Sequence, residues 1–386
     1  MQKSVSCLIA VVFFVFAAWT GAAAQQERFD EKEMRQWADR GDPDAQFELG
    51  VRLVTGEGVK KSEKQGVDFI QKAAAQNHLR AQHVLGSLYE EGVGVKQDTA
   101  KAVEWYRKAA GNGFAMSQHS LGILYDTGKG VTKDAKESAQ WFRMAANQDF
   151  PPAQAAYANK LERGDGVEKS TVKAAGWYLR AAKTGFVPAM TKLAYMYYTG
   201  TGVPLDYRRT QAWYRRAARA GEPWATNDLA WFLSTCPDSA FHDGDTALTL
   251  AKAAVKAISE DTGEQRHEML DTLAAAMARS GDFLGAVLWQ KKAITLLAED
   301  KEVKDSEREK LDKEFSDRLK LYQKEEAFTE KEPKAEEGTA PLPGDTILQE
   351  EGEPPQQKKP KPGAKPKSSG GSVVSLVRVA VGQPPA

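Results

Sequence analysis

Cysteine is almost absent from this 386-residue chain, which has only Cys7 and Cys236. Cys7 lies in an N-terminal segment that we expect to be cleaved, so one thiol remains and an internal disulfide is excluded. Cys236 follows an aromatic helical stretch and is interpreted as a buried small residue. A reactive thiol or an intermolecular bridge is the alternative.

The chain also lacks the short motifs of common active sites. It has five histidines, but no HExxH sequence, no cysteine and histidine cluster at zinc spacing, no P-loop and no GxSxG. We therefore predict no catalytic residues, no metal, no cofactor and no enzymatic activity. Basic and acidic residues balance at 53 each, which argues against nucleic acid as a partner.

Long apolar runs are missing except at the N-terminus. Residues 1–24 combine Lys3, an apolar stretch at 8–19 and an A-x-A site at Ala22–Ala24. This pattern is typical of a Sec-type signal peptide and predicts cleavage after Ala24. We expect a bacterial periplasmic or secreted protein with no membrane span after cleavage. An uncleaved anchor is the alternative, although the run is shorter than the ~20 residues that a span requires.

What the chain does contain is a strict internal repeat of 36 residues. Five copies run from Ala45 to Trp224, and a divergent sixth copy begins at Ala225. A fixed period of this size is typical of a solenoid, in which each unit buries its apolar face against its neighbours. The copies are headed by small residues: Ala45, Ala81, Ser117, Ala153 and Ala189.

Each copy predicts two helices joined by a glycine turn. In the second copy Ala81, Leu85 and Tyr89 fall near one face of a first helix, where Gly86 lets a neighbouring helix approach. A second amphipathic helix carries apolar residues at helical spacing, namely Ala102, Trp105, Tyr106, Ala109 and Ala110. Residues that favour helix N-caps recur before the second helix, namely Ser62, Asp98, Asp134, Ser170 and Asp206.

The repeated pattern A-x-x-x-L-G-x-x-Y-x-x-G-x-G-V…D…A-x-x-W-Y-x-x-A-A-x-x-G resembles the Sel-like repeat (SLR) family, a relative of the tetratricopeptide repeat. The resemblance implies an all-α, right-handed α-solenoid of stacked helix-turn-helix repeats. The first copy departs from the pattern at Leu53 and Phe69, and the fourth at Tyr157. Exported relatives linked to β-lactam binding or hydrolysis have paired cysteines, which this chain lacks.

The segments outside the five copies have separate predicted roles. We expect a capping helix at 25–44, degenerate tetratricopeptide-like repeats at 225–298 and a charged helix at 299–330. Residues 331–386 are rich in Pro and Lys and are predicted to be disordered. Five lysines within 358–367 suggest a solvated linker or, alternatively, a tether to an anionic envelope polymer. The apolar stretch 372–381 could add a strand to a partner or have no role.

Function is predicted from the first helices. In the related tetratricopeptide fold these helices line the concave face, so their variable positions are candidate contacts for a protein or peptide partner. The candidate partner-binding residues are His83, Glu90, His119, Asp126, Asn159, Tyr195, Tyr198, Asn227 and Trp231. The alternative is that these side chains are merely solvated or pack between repeats.

His83 and His119 occupy the same position in adjacent copies and are expected side by side. Because imidazole titrates near pH ~6.5, they predict pH-dependent binding. The leading hypothesis is a non-enzymatic interaction scaffold or adaptor of the bacterial cell envelope, one form of which is a regulator. The alternative is an envelope enzyme or glycan-binding factor, β-lactamase-like or peptidoglycan-associated.

Overall fold

A computed structural model describes residues 31–262 and 266–350, and over these ranges all regular secondary structure is helical. The predicted signal peptide and the lysine-rich and apolar stretches after residue 350 lie outside the described residues. None of the described helices is both long and apolar enough to cross a bilayer.

The five repeats are five helical hairpins stacked in one direction. An N-terminal helix, α1 (Glu31–Asp39), packs against the first hairpin. The hairpins are α2 (Pro43–Thr55) with α3 (Glu63–Ala75), α4 (Leu79–Glu91) with α5 (Thr99–Gly111), α6 (Ala115–Thr127) with α7 (Ala135–Ala146), α8 (Pro151–Arg163) with α9 (Thr171–Lys183), and α10 (Val187–Thr199) with α11 (Tyr207–Ala218). We number these hairpins repeats one to five. Each second helix also packs against the first helix of the next repeat, so the units form a continuous α-solenoid.

The predicted caps are present in four of the five repeats. Asp98, Asp134, Ser170 and Asp206 each accept a hydrogen bond from a backbone N–H in the first turn of the second helix. Ser62 occupies the same position, but its side chain makes no such bond. The caps therefore start α5, α7, α9 and α11 where the sequence predicts them.

The turn between the two helices requires two glycines for two different reasons. Gly164 ends α8 in the left-handed conformation, with φ +73°. Gly166 also has positive φ, and a Cβ there would lie 2.1 Å from the carbonyl oxygen of Ala135. The second glycine is needed because the turn rests on the start of α7 in the preceding repeat.

Small and aromatic residues interlock in the core of each repeat. A Cβ on Gly86 would lie 2.8 Å from the ring of Tyr106, so the predicted close approach is confirmed.

Hydrogen bonds from glutamine side chains also connect the first helices of repeats one to four to the helices before them, and they were not predicted. Gln46, Gln82, Gln118 and Gln154 each donate a side-chain hydrogen bond to a backbone carbonyl eight residues earlier, at the end of the preceding helix layer.

The helical stack continues beyond repeat five. Its further helices are α12 (Pro223–Thr235), α13 (Gly244–Thr262), α14 (His267–Arg279), α15 (Phe283–Glu299) and α16 (Asp305–Tyr322), with a short 3-10 turn at Ser239–Phe241. Arg318 of α16 and Asp271 of α14 form a buried ion pair at 2.9 Å.

Cys236 is fully buried, as predicted, and burial raises the pKa of its thiol to about 12.

The prediction of disorder from residue 331 is wrong over 331–350. These residues run along repeat five and end in a short helix, α17 (Ile347–Glu350), which packs against α11. Leu342 and Ile347 are buried against the solenoid. Composition alone indicated disorder because it does not show that a few apolar and acidic side chains have specific partners on the repeats.

Candidate partner-binding surface

The candidate surface is formed by α2, α4, α6, α8, α10 and α12, and we call it the first-helix surface. His83 does not lie open on it, because the residue is only 5% exposed. Its ring packs against Tyr106 and Phe114, and Nδ1 lies 3.0 Å from the hydroxyl oxygen of Ser117. The expectation that His83 is free to contact a partner is therefore wrong.

His119 repeats this arrangement one unit later. Its ring packs against Phe142 and Phe150, at centroid distances of 5.4 and 5.5 Å. Burial lowers the pKa of His119 to about 4, and burial together with the neighbouring His119 lowers the pKa of His83 to about 4. The pair is adjacent as predicted, but it cannot titrate near pH 6.5, so the structure contradicts a binding switch at that pH.

The acidic positions of the first-helix surface are engaged within the solenoid. Glu90 accepts hydrogen bonds from the hydroxyl of Tyr106 at 3.1 Å and from Nζ of Lys129 at 2.9 Å. Asp126 lies 2.5 Å from Nζ of Lys160, a lysine that is itself buried. These carboxylates help to hold adjacent repeats together, and binding of a partner by them stays a prediction.

The remaining polar candidates differ in exposure. Asn159 on α8 is half-buried. Asn227 on α12 is buried, and its Oδ1 has no hydrogen-bond partner among the described residues. Tyr195 on α10 is 51% exposed and is the large aromatic residue of the predicted set that lies open.

Tyr198 and Trp231, the last two candidates, are covered by the chain itself. Residues 326–349, which we call the C-terminal strap, cross this end of the first-helix surface. The strap is anchored at its start by Arg279, whose guanidinium donates to the carbonyl of Phe328 at 2.6 Å and to the hydroxyl of Thr329 at 2.8 Å.

One carboxylate of the strap joins both aromatic candidates. Glu330 accepts hydrogen bonds from Nε1 of Trp231 at 2.9 Å and from the hydroxyl of Tyr198. The backbone N–H of Glu330 donates to the carbonyl of Thr235 at 2.8 Å, and the ring of Phe328 lies beside Trp231. Burial and the hydrogen bond to Glu330 raise the pKa of Tyr198 far above its usual range, so it remains a donor.

A second carboxylate is held at the glycine turn of repeat five. Glu336 accepts hydrogen bonds from the backbone N–H of Gly202 and from the hydroxyl of Thr171, both at 2.8 Å. Its own N–H donates to the carbonyl of Gly200 at 2.9 Å. A Cβ on Gly200 would lie 2.4 Å from Cβ of Ala335, so the strap crosses the turn in close contact with its backbone.

A third carboxylate follows where the strap ends. Asp345 accepts a hydrogen bond from the hydroxyl of Tyr197 at 2.5 Å, and Nε of Arg209 lies 3.5 Å away. The Asp345 side chain is almost fully buried. Leu342 and Ile347 are buried on either side of it in sequence, so a charged group is held between two apolar anchors.

Comparison with known proteins identifies the repeats. The Sel1 repeat model matches five consecutive segments, at 43–78, 79–114, 115–150, 151–186 and 187–222. A crystal structure of a Sel1 repeat protein from Oxalobacter formigenes is 32% identical to this chain, covers 53% of it and 85% of that protein, and gives a TM-score of 0.50. The chain belongs to the Sel1-repeat family. The predicted family and the α-solenoid fold are confirmed.

Two other solved structures are similar to this Sel1-repeat chain. The protein c5321, a protective antigen of uropathogenic Escherichia coli with an SLR fold, is 26% identical, covers 76% of this chain and 72% of its own, and has a TM-score of 0.41. The immunity protein PA5088 of Pseudomonas aeruginosa is 22% identical, and the match covers 58% of this chain and 84% of that protein with a TM-score of 0.37. No curated protein matches the chain.

The chemistry of the strap site in this Sel1-repeat protein is uniform. Six groups of the described solenoid contact the three strap carboxylates, and each carries hydrogens that it can donate. Five of them donate hydrogen bonds, namely Tyr198, Trp231, Thr171, Gly202 and Tyr197, and the Arg209 guanidinium forms an ion pair with Asp345 at 3.5 Å. Such an arrangement can hold carboxylates of an extended chain through charge-assisted hydrogen bonds. Across residues 31–262 and 266–350 there is no cluster of three or more His, Cys, Asp or Glu side chains that could hold a metal ion.

The sequence analysis predicted two of these six groups, Tyr198 and Trp231, because they occupy variable positions of the first helices, as the other candidates do. It missed Tyr197, which occupies a core position of the repeat, and Arg209, which lies in the first turn of α11. The aligned pattern assigned Tyr197 to the scaffold and gave Arg209 no role. Only the position of the strap, far away in sequence, shows that their polar ends are used.

Proposed function

We propose that this protein is a non-enzymatic scaffold of the bacterial cell envelope that holds a partner protein or peptide on its first-helix surface. Sel1 repeats generally mediate protein–protein interaction. The observation that carries the proposal is the strap itself, an extended segment that the solenoid already binds through Tyr198 and Trp231. The envelope location rests on the signal-peptide pattern of residues 1–24.

The first-helix surface also has room for more than the strap. Tyr195 lies on α10 one turn from Tyr198, but its side chain is 51% exposed. Large exposed aromatic side chains are common hot spots of protein interfaces, because they supply contact area at a small entropic cost. We infer that a partner contacts Tyr195 beside the strap site.

Site-specific photo-crosslinking in cells tests the proposal. A benzophenone amino acid is placed at Tyr195 or, as the matched control, at Met144 on α7, which is 43% exposed in the second-helix layer. The proposal expects a specific crosslinked partner from position 195 and none from position 144. Partners crosslinked only from position 144 would place binding on the opposite layer and refute the proposed surface.

The location is tested separately. The chain recovered from a periplasmic fraction is expected to begin at Gln25, which intact-mass measurement can establish. A chain that keeps residues 1–24 and sediments with membranes would show an uncleaved anchor. Turnover of a β-lactam or a cell-wall substrate by the purified protein would favour the alternative, an envelope enzyme or glycan-binding factor.

A further inference from the structure

We propose that the strap site recognises an extended acidic segment of a partner protein, and that the strap occupies this site until such a segment displaces it. The inference rests on the proposed function, since it specifies the kind of partner that the first-helix surface accepts. Residues 326–349 are then an intramolecular competitor: they carry acidic side chains, as the partner segment does, and the partner segment displaces them.

The preference for acidic side chains follows from the contacts. Glu330 and Glu336 each accept two hydrogen bonds from the solenoid, and Asp345 accepts one from Tyr197 and forms an ion pair with Arg209. The two lysines of this stretch, Lys331 and Lys334, are exposed. A basic or neutral peptide of the same length would leave Trp231 and the turn N–H of Gly202 without their charged acceptors.

The strap is bound by side chains more than by its backbone. Among its described residues, backbone pairing with the repeats consists of the bonds from Glu330 to Thr235 and from Glu336 to Gly200. Most of the specific contacts therefore come from side chains, so binding depends on the amino-acid sequence of the bound segment. Residues between the anchors, such as Glu332 and Glu337, are exposed, as expected for a segment that can detach without unfolding the helices beneath it.

Tethering explains how the strap can mask the site. The strap begins only a few residues after α16 ends at Tyr322, so it competes as an intramolecular ligand. Short flexible connections give effective concentrations on the order of millimolar. A partner segment of similar intrinsic affinity must therefore compete against a local excess, and loosening the strap should strengthen its binding.

The test uses the full-length protein and a labelled synthetic peptide of residues 326–349. Three substitutions in the protein, Glu330→Gln, Glu336→Gln and Asp345→Asn, weaken its own strap and leave all six donors in place. We expect the triple variant to bind the peptide at least about tenfold more tightly than the wild type. The matched control, Glu332→Gln with Glu337→Gln, changes exposed strap residues and is expected to bind as the wild type does.

The peptide provides a second control. A peptide carrying the same three substitutions is expected to lose binding to the triple variant by at least about tenfold, because its carboxylates are gone. Equal binding of the natural peptide by the wild type and the triple variant would show that the strap does not compete. Equal binding of both peptides by the triple variant would show that the site does not select carboxylates. Either result overturns the inference.

Failure of this inference can be distinguished from failure of the proposed function. If the peptide does not bind, but a partner still crosslinks from position 195, the partner class and the competition are refuted while the scaffold remains. If the peptide binds as expected and no partner crosslinks from position 195, the carboxylate site stands and the proposed partner surface fails. Circular dichroism and a melting curve confirm that each variant remains folded.

Discussion

Acid should destabilise the repeats through His83 and His119, and the structure gives the pH range and the size of the effect. Burial lowers the pKa of His83 from 6.5 to about 4 in the folded chain. Between these values the unfolded chain binds a proton that the folded chain excludes, so the free energy of unfolding decreases as pH falls. The stabilisation is complete above pH 6.5 and is lost progressively toward pH 4.

The size of the effect follows from the same values. One pKa unit corresponds to about 1.4 kcal/mol, so His83 accounts for about 3 kcal/mol between pH 6.5 and pH 4. His119 has a similar pKa, so it contributes a pH dependence of the same sign over the same range, although it is half-buried where His83 is buried. A typical domain is stable by about 5 to 15 kcal/mol, which makes the effect easy to measure.

Urea unfolding followed by circular dichroism, at intervals from pH 4.5 to pH 7.5, measures this slope. The variant His83→Gln/His119→Gln keeps polar side chains at both positions but removes the titrating rings. We expect it to be less stable than the wild type at pH 7.5 and to lose much less stability on acidification. An identical pH dependence in the variant and the wild type would refute the assignment of the slope to these two histidines.

Three further predictions concern stability measured by urea unfolding. Asp228→Asn should stabilise the chain by about 2 kcal/mol at pH 8 and not at pH 4, because burial raises the pKa of Asp228 to about 6 and disfavours its ionised form. Gly166→Ala should cost more than about 3 kcal/mol, because its Cβ would meet a backbone carbonyl, whereas Gly185→Ala, with open space, should cost about 1 to 2 kcal/mol. Arg318→Met should cost about 3 to 5 kcal/mol by leaving Asp271 buried without its cationic partner, and adding Asp271→Leu should recover much of this.

Local features of the fold could be predicted because they repeat. The cap at Asp98 and the turn glycines occupy positions that recur every 36 residues. The cap and the first turn glycine meet requirements of one hairpin, whereas the second turn glycine is required by contact with the preceding repeat. The glutamines that tie successive repeats, such as Gln82, recur in the same way. They were not predicted, because a glutamine within a helix matches none of the cap, turn or apolar-spacing patterns from which the repeat was derived.

The binding surface was harder to predict, since it depends on contacts between distant residues. Register placed His83 in the first helix of its repeat, but it did not show that Tyr106 and Phe114 would bury the ring. Composition likewise indicated disorder after residue 331. Glu330 is bound by Tyr198 and Trp231, which lie about a hundred residues or more earlier in the chain. No local pattern covers that separation.

Hydrogen–deuterium exchange of the strap tests the central claim most directly, that the first-helix surface binds an extended acidic segment. The backbone N–H groups of Glu330 and Glu336 donate to the solenoid, so we predict that they exchange slowly in the wild-type protein. In the triple variant Glu330→Gln/Glu336→Gln/Asp345→Asn, both should approach the exchange rate of an unstructured peptide, while the helices of repeat five keep their protection. Exchange of both amides at the unstructured rate in the wild type would contradict the account.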